Sequence, residues 1–263
     1  MQNELAIRLG VFVGLFLLFA GLETLAPRRA RNLPRARRWT TNIAVTIIDS
    51  LTLRAMAVFL PFLAVGAALD ADAKGWGLFN HLDWPFWAEG ALVVLILDFA
   101  IWGQHLITHK VPLFWRFHRM HHADRDLDVT TAVRFHPVEV AASMLLKIGL
   151  VYALGPAAWA VLLFEVILNG TALFNHANLR LPDRMDRAAR LVLVTPDMHR
   201  VHHSILRDDH DSNYGFALSV WDRIFGTYRR QPAKGLDGMA VGLEWQDNRP
   251  AQLGWSLLLP FRK

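Results

Sequence analysis

Residues 86–122 read FWAEGALVVLILDFAIWGQHLITHKVPLFWRFHRMHH, and their order decides the fold. The apolar run Phe86–Gly103 approaches the ~20 residues that a helix needs to cross a bilayer core about 30 Å thick. It carries only Glu89 and Asp98 as charges and leads directly to His105, His109, His118, His121 and His122. A membrane span therefore ends in a concentration of imidazoles. On a helix, positions i, i+3 and i+4 share a face, so these spacings aim two or three rings the same way.

Outward from this stretch the chain repeats the membrane theme. Leu9–Leu25 is apolar apart from Glu23, has no cationic segment before it, and runs into Pro27-Arg28-Arg29 instead of a small-residue cleavage site, which predicts a retained anchor and not a signal peptide. Ile43–Leu69 is a second apolar stretch, holding Asp49 and Arg54. Val138–Leu154 is a fourth, and Ala157–Phe174 a fifth after the turn pair Gly155-Pro156, a tight hairpin that need not cross fully. The charges inside these runs are expected to face the bundle interior. The predicted fold is all-α: a polytopic integral membrane protein with four to five membrane helices and one integrated unit. Residues 1–84 form the anchor helices, 85–230 a histidine-rich core, and 231–263 a tail with no assigned function. Composition agrees, with 53% hydrophobic residues, 16 Phe and 10 Trp among 263.

Six arginines fall within Arg28–Arg38. The positive-inside rule puts this loop in the cytoplasm and the acidic 70–83 stretch outside, so that residues 105–134 and 175–263 return to the cytoplasm with every dense histidine group. The formal net charge of +5 is explained by these flanks, and no nucleic-acid-binding motif accompanies them. The absence of cysteine excludes disulfides, thiolate metal sites and cysteine nucleophiles.

Ten of the 12 histidines lie between His105 and His203, most of them in His105-x3-His109, His118-x2-His121-His122 and His199-x2-His202-His203. Joined by His136 and His176, they exceed what one metal takes, since a catalytic zinc uses about three protein ligands. A pair of metals is the economical count. Imidazole suits Fe, Zn, Cu and Ni alike, so ligand type does not name the metal. Neither the Glu-x-x-His of soluble di-iron bundles nor the His-Glu-x-x-His of zinc proteases is present.

The histidine order, with a solitary His176 in Phe174-Asn175-His176-Ala177-Asn178, resembles the fatty acid hydroxylase and sterol desaturase superfamily of membrane-bound oxidases. Phe117–His122, Arg134–Glu139, Asn213-Tyr214-Gly215 and Trp221–Thr227 look like bacterial members, and the likeness covers roughly residues 90–230. The resemblance implies a cytoplasmic helical cap, in a bacterial inner membrane, holding two irons that activate O2 to hydroxylate or desaturate a lipid. The ligands it implies are His105, His109, His118, His121, His122, His176, His199, His202 and His203. His136 is a further candidate that could instead cap the helix opening at Pro137.

Metal-bound histidines usually give their other ring proton to a carboxylate or carbonyl. Asp98, two helical turns before His105, is the favoured partner, with Asn178, Asp197 and Asp222 as others that could equally cap helices. His210, among Asp208, Asp209 and Asp211, reads as a solvated surface residue. No fused haem domain or dinucleotide-binding Gly motif is evident, so a separate electron donor (ferredoxin, cytochrome or reductase) is implied. The substrate reads as a bilayer lipid, with Trp84–Trp87 and Phe114–Phe117 either lining its access route or forming an interfacial belt. The alternative is a histidine-rich metal-binding or transport protein without oxidase activity, whose ligands should lie near mid-bilayer. A haem cytochrome would leave the repeated His-x-x-His-His unexplained.

Overall fold

A computed structural model describes residues 3–60, 63–83 and 85–262, and among them there are helices, turns and isolated bridges but no β-strand. Five helical regions are long and apolar enough to cross a membrane. Helix α1 is Glu4–Leu25, α2 Arg35–Phe59, α3 Ala64–Lys74, α4 Phe86–Lys110, α5 Pro112–His122, α6 Pro137–Leu154 and α7 Ala158–His176. Six short helices follow: α8 Asp183–Ala189, α9 Pro196–His202, α10 Arg207–His210, α11 Val220–Ile224, α12 Gly235–Gly238 and α13 Leu253–Leu258.

The second apolar stretch is not one helix. α2 stops at Phe59, Leu60 is extended (φ −101°, ψ 130°), and α3 begins again at Ala64. Pro61 in the sequence accounts for this, because the residue before a proline is pushed out of the helical region. The third stretch is longer than the apolar run suggests, for α4 continues without a break through His105 and His109. At 1.5 Å per residue it is roughly 37 Å long, about one turn more than a 30 Å hydrocarbon layer takes up.

Packing sorts lipid-facing from interior helices. Leu9, Val13 and Leu17 of α1 are exposed, as are Val58 and Phe59 of α2, a density of outward apolar surface that suits lipid and not water. Val93 and Leu97 of α4 pack against Ala160 and Phe164 of α7 as the central pair. At the end away from the histidines, Gly77 (φ 95°) and Gly155 (φ 62°) touch so closely that a Cβ on Gly77 would lie 2.1 Å from Gly155 N. The α6–α7 hairpin is thereby sealed against the loop after α3. Of the charges expected inward, Asp49 and Asp98 are buried, and Glu89 accepts a hydrogen bond from Ala157 N at 2.7 Å. Arg54 instead lies exposed, five residues from the end of α2, where a long side chain reaches the interface.

The basic Arg28–Arg38 loop has a structural role besides its charge. Arg38 is buried and bidentate to Asp124, with Nε–Oδ1 2.8 Å and Nη2–Oδ2 2.6 Å, and it also pairs with Asp128. Arg35 binds the buried Glu23 at 2.7 Å, and Glu23 also accepts from the backbone N–H groups of Val129 and Asn178. These bonds fasten the α1–α2 loop to the histidine-bearing cap, so both lie at the same end of the bundle.

The C-terminal tail also belongs to the cap. Trp255 and Leu259 pack with Val45, Met120 and Ala123, and Arg134 binds Pro250 O and Ser256 Oγ at 2.9 and 2.7 Å. Apolar burial against α2 and α5 draws in a segment whose Gly, Pro and charge content reads as irregular.

Removing one partner of a buried ion network leaves the others uncompensated, at about 3–5 kcal/mol. Arg38→Met is expected to lower stability by that amount, measured by denaturing-detergent titration of the purified protein, whereas Arg54→Met changes it by less than about 0.5 kcal/mol.

Candidate metal centre

Local sequence chemistry sets each histidine in place. α4 ends at Lys110, Val111 is extended, and Pro112 opens α5 at a position where its missing N–H is harmless. The chain therefore folds back and brings His118, His121 and His122 against His105 and His109. α7 ends on His176. α9 is opened by Thr195, whose Oγ1 accepts from Met198 N, and by Pro196; it carries His199 and His202, with His203 as its C-cap.

Nine rings, all buried, fall into two adjoining groups. One holds His105, His109, His118, His122 and His202; the other holds His121, His176, His199 and His203, and in each the ligand atoms lie within 4.8 Å of one another. The two His-x-x-His-His motifs are divided in opposite senses. In α5 the i and i+4 rings join the first group and the i+3 ring the second, whereas after Pro196 the i and i+4 rings join the second and the i+3 ring the first.

Within the groups, bare nitrogens meet. His105 Nε2 is 3.1 Å from His118 Nε2, His176 Nε2 is 3.1 Å from His121 Nε2 and 3.0 Å from His199 Nε2, and His199 Nε2 is 3.2 Å from His203 Nε2. Two nitrogens about 2.1 Å from one ion and at right angles across it are roughly 3.0 Å apart.

For five of the rings the opposite ring atom explains why the Nε2 carries no proton. His105 Nδ1 donates to Tyr214 O (2.7 Å), His118 Nδ1 to Glu139 Oε1 (2.6 Å), His121 Nδ1 to Arg134 O (3.2 Å), His176 Nδ1 to Ala172 O (2.8 Å) and His202 Nδ1 to Ser212 O (2.7 Å). Each bond fixes the tautomer that turns Nε2 to the centre. Among the described residues, both nitrogens of His109 and His122, the Nε2 of His202 and the Nδ1 of His199 and His203 have no hydrogen-bond partner. A buried polar atom left so costs about 1–3 kcal/mol, and a cation in the first group would take up one nitrogen each of His109 and His122 together with the Nε2 of His202. Burial, with mutual repulsion added, holds His121, His122, His199 and His203 well below the ordinary imidazole value. Burial does the same for His202, so these rings are neutral donors at neutral pH.

Other candidates lie elsewhere. His136 caps α6: its Nδ1 accepts from Val138 N and its Nε2 donates to Leu257 O, both at 3.2 Å. It belongs to neither group, because both nitrogens are engaged by backbone. The Asp98 carboxylate accepts from Trp221 Nε1 (2.8 Å) and Leu218 N (3.3 Å), not from His105. Asp222 acts at one remove, holding Tyr214 N and Gly215 N at 2.9 Å each and so aiming the Tyr214 carbonyl at His105. Asn178 bonds the Arg29 backbone, and Asp197 pairs with Arg28. His210 is not a free surface group; it stacks on Trp115 with ring centroids 5.3 Å apart.

Sequence reading missed the role of Glu139, which sits in the first turn of α6 and meets His118 only through the fold. It also missed the network under the motif. Burial alone would raise the Asp124 carboxyl, but Arg38 outweighs it and takes the group down to about 2. Burial lowers Arg134 to about 10; its guanidinium binds Asn42 Oδ1 and Met120 O while its carbonyl orients His121.

The model of the fatty acid hydroxylase family matches residues 90–227. An ornithine lipid hydroxylase from Rhizobium tropici is 30% identical over 57% of the chain and 44% of its own length. Alkylglycerol monooxygenases from Homo sapiens and Xenopus tropicalis are 29% and 30% identical over 63% and 73% of the chain, and 36% and 43% of their own lengths. The chain thus spans less than half the length of these relatives. No solved structure matches it.

Loss of a carboxylate that orients a metal-bound histidine typically lowers metal affinity about 10–100-fold. Glu139→Gln is expected to do so in competition against a chelator, while His136→Ala keeps the metal content and loses about 0.5–2 kcal/mol of stability through its cap.

Proposed function

Because the chain belongs to the fatty acid hydroxylase family, we propose that it is a membrane-bound di-iron monooxygenase that hydroxylates a C–H bond of a lipid. The observation that carries this reading is a cavity of about 310 Å³ that has His105 and His118 in its wall and continues between the membrane helices past Leu53, Met144 and Leu168. A metal site opening into apolar surroundings suits an alkyl chain.

His105, His109, His118, His122 and His202 would hold one iron, and His121, His176, His199 and His203 the other. The iron pair, when bound, supplies the activation of O2. The protein's own share is orientation and the exclusion of water. Glu139 and the carbonyls of Tyr214, Arg134, Ala172 and Ser212 fix the rings. Phe135 stacks on His121 with centroids 4.3 Å apart, and Phe216 lies beside His105, so apolar rings wall the side from which a chain would approach.

An apolar groove of about 610 Å³, lined by Phe99, Ile107, Phe114, Phe117 and Leu146, shares Gln104, Thr108 and Glu139 with the cavity. It supports lateral access from the bilayer between α4 and α6. The Phe114–Phe117 segment contributes to it; Trp84 lies outside the described residues, and Phe86 stacks on Trp159. The basic loop bound to the same cap as the histidines supports a cytoplasmic site under the positive-inside rule. Electrons would then come from a separate cytoplasmic donor. Histidines gathered at helix ends and beyond give no support to a transport site at mid-bilayer.

Expression in a lipid-producing host under isotopically heavy O2 tests the reading by lipid mass spectrometry. One lipid class should gain a single heavy oxygen with the intact chain and not with His202→Ala. A product two hydrogens lighter without label would make the protein a desaturase, and absence of bound iron in the purified protein would sink the proposal.

A further inference from the structure

The far end of the cavity holds charge. Arg8 of α1, Lys147 of α6 and Glu165 of α7 line it together with Asn169, at the opposite extreme from His105 and His118. Glu165 is the hub: Oε1 accepts from Lys147 Nζ at 2.6 Å and Oε2 pairs with Arg8. The side chains of Lys147 and Glu165 are only 12% and 6% exposed. Charge inside a membrane span is costly, and where it occurs it usually marks a site where something polar binds or passes.

Position and valence say what that is. Lys147 lies eight residues along α6 from Glu139, which touches His118, and Glu165 lies eleven along α7 from His176. At 1.5 Å per residue these offsets are roughly 12 and 16 Å, so the charged end is an alkyl chain's length away from the histidines. Both oxygens of Glu165 are already taken. Lys147 uses one of three donors, and Arg8, bound by Glu4 at 2.9 Å through Nε, keeps Nη1 without a bond among the described residues. Glu165 and Glu4 balance the two cations in charge but not in hydrogen-bonding capacity, so spare N–H donors on Lys147 and Arg8 remain at the charged end of the cavity.

We propose that Arg8 and Lys147, braced by Glu165, bind an anionic oxygen group, carboxylate or phosphate ester, at one end of the lipid substrate, and so fix which carbon of its chain lies at the histidines. This deepens the lipid-oxygenase reading and rests on it for the substrate role, but the binding site itself can be tested without turnover.

The test is equilibrium binding of radiolabelled palmitate, hexadecyl phosphate and hexadecanol to the metal-loaded protein in detergent under nitrogen. At least one anionic ligand should bind tenfold or more tightly than hexadecanol, and the stronger of the two distinguishes a fatty acid from a lipid phosphate. Lys147→Met should bring that preference to within twofold while leaving hexadecanol binding in place, and Lys147→Arg should retain it. Equal binding of all three chains by the unaltered protein, or an undiminished preference in Lys147→Met, would overturn the proposal. Should Lys147→Met lose hexadecanol as well, the unaltered protein and Lys147→Arg decide. A protein that shows the preference yet oxidises no lipid would refute the oxygenase reading alone; one that oxidises lipid without the preference would refute only this site.

Discussion

Nine imidazoles buried against one another, with bare nitrogens pointing at shared centres, repel unless a cation lies between them, and the rest of the cap is organised to hold that arrangement. Apolar packing cannot do this, because it has no directional preference for one ring face. Hydrogen bonds can. Five of the rings are held from behind by a carbonyl or by Glu139, and the loops that present those acceptors are themselves fixed by Arg38, Arg134, Asp124 and Asp222.

The same constraint explains why a short chain spends so many charges in its interior. A fully satisfied polar network is rigid, and a partly satisfied one is costly. Arg38 and Asp124 neutralise each other beneath the α5 motif, while Arg134 joins α5, α2 and the C-terminal segment through four separate acceptors. The membrane helices supply a platform on which this network sits, and α4 links the two by carrying both apolar span and ligand candidates on one rod.

A polar cap on apolar helices leaves a boundary where the proposed chemistry would occur. The cavity begins at His105 and His118, passes between apolar side chains, and ends at Arg8, Lys147 and Glu165. The histidine groups and the charged end proposed as an anchor are thus separated by helix rise alone, a distance that thermal motion of side chains alters little.

The sequence by itself determined the all-helical membrane class and the three histidine groups that share helix faces, because hydrophobic run length and i, i+3, i+4 spacing are local properties of a helix; solitary His176 entered through the family resemblance. Only the tertiary structure decided how His118, His121 and His122 divide between two centres, that His136 caps a helix, that Glu139 and not Asp98 meets a metal-facing ring, and that the tail completes the cap. Those outcomes depend on which segments distant in sequence meet across the cap. No periodicity encodes this; it is set by where the buried donors and acceptors of different helices find one another.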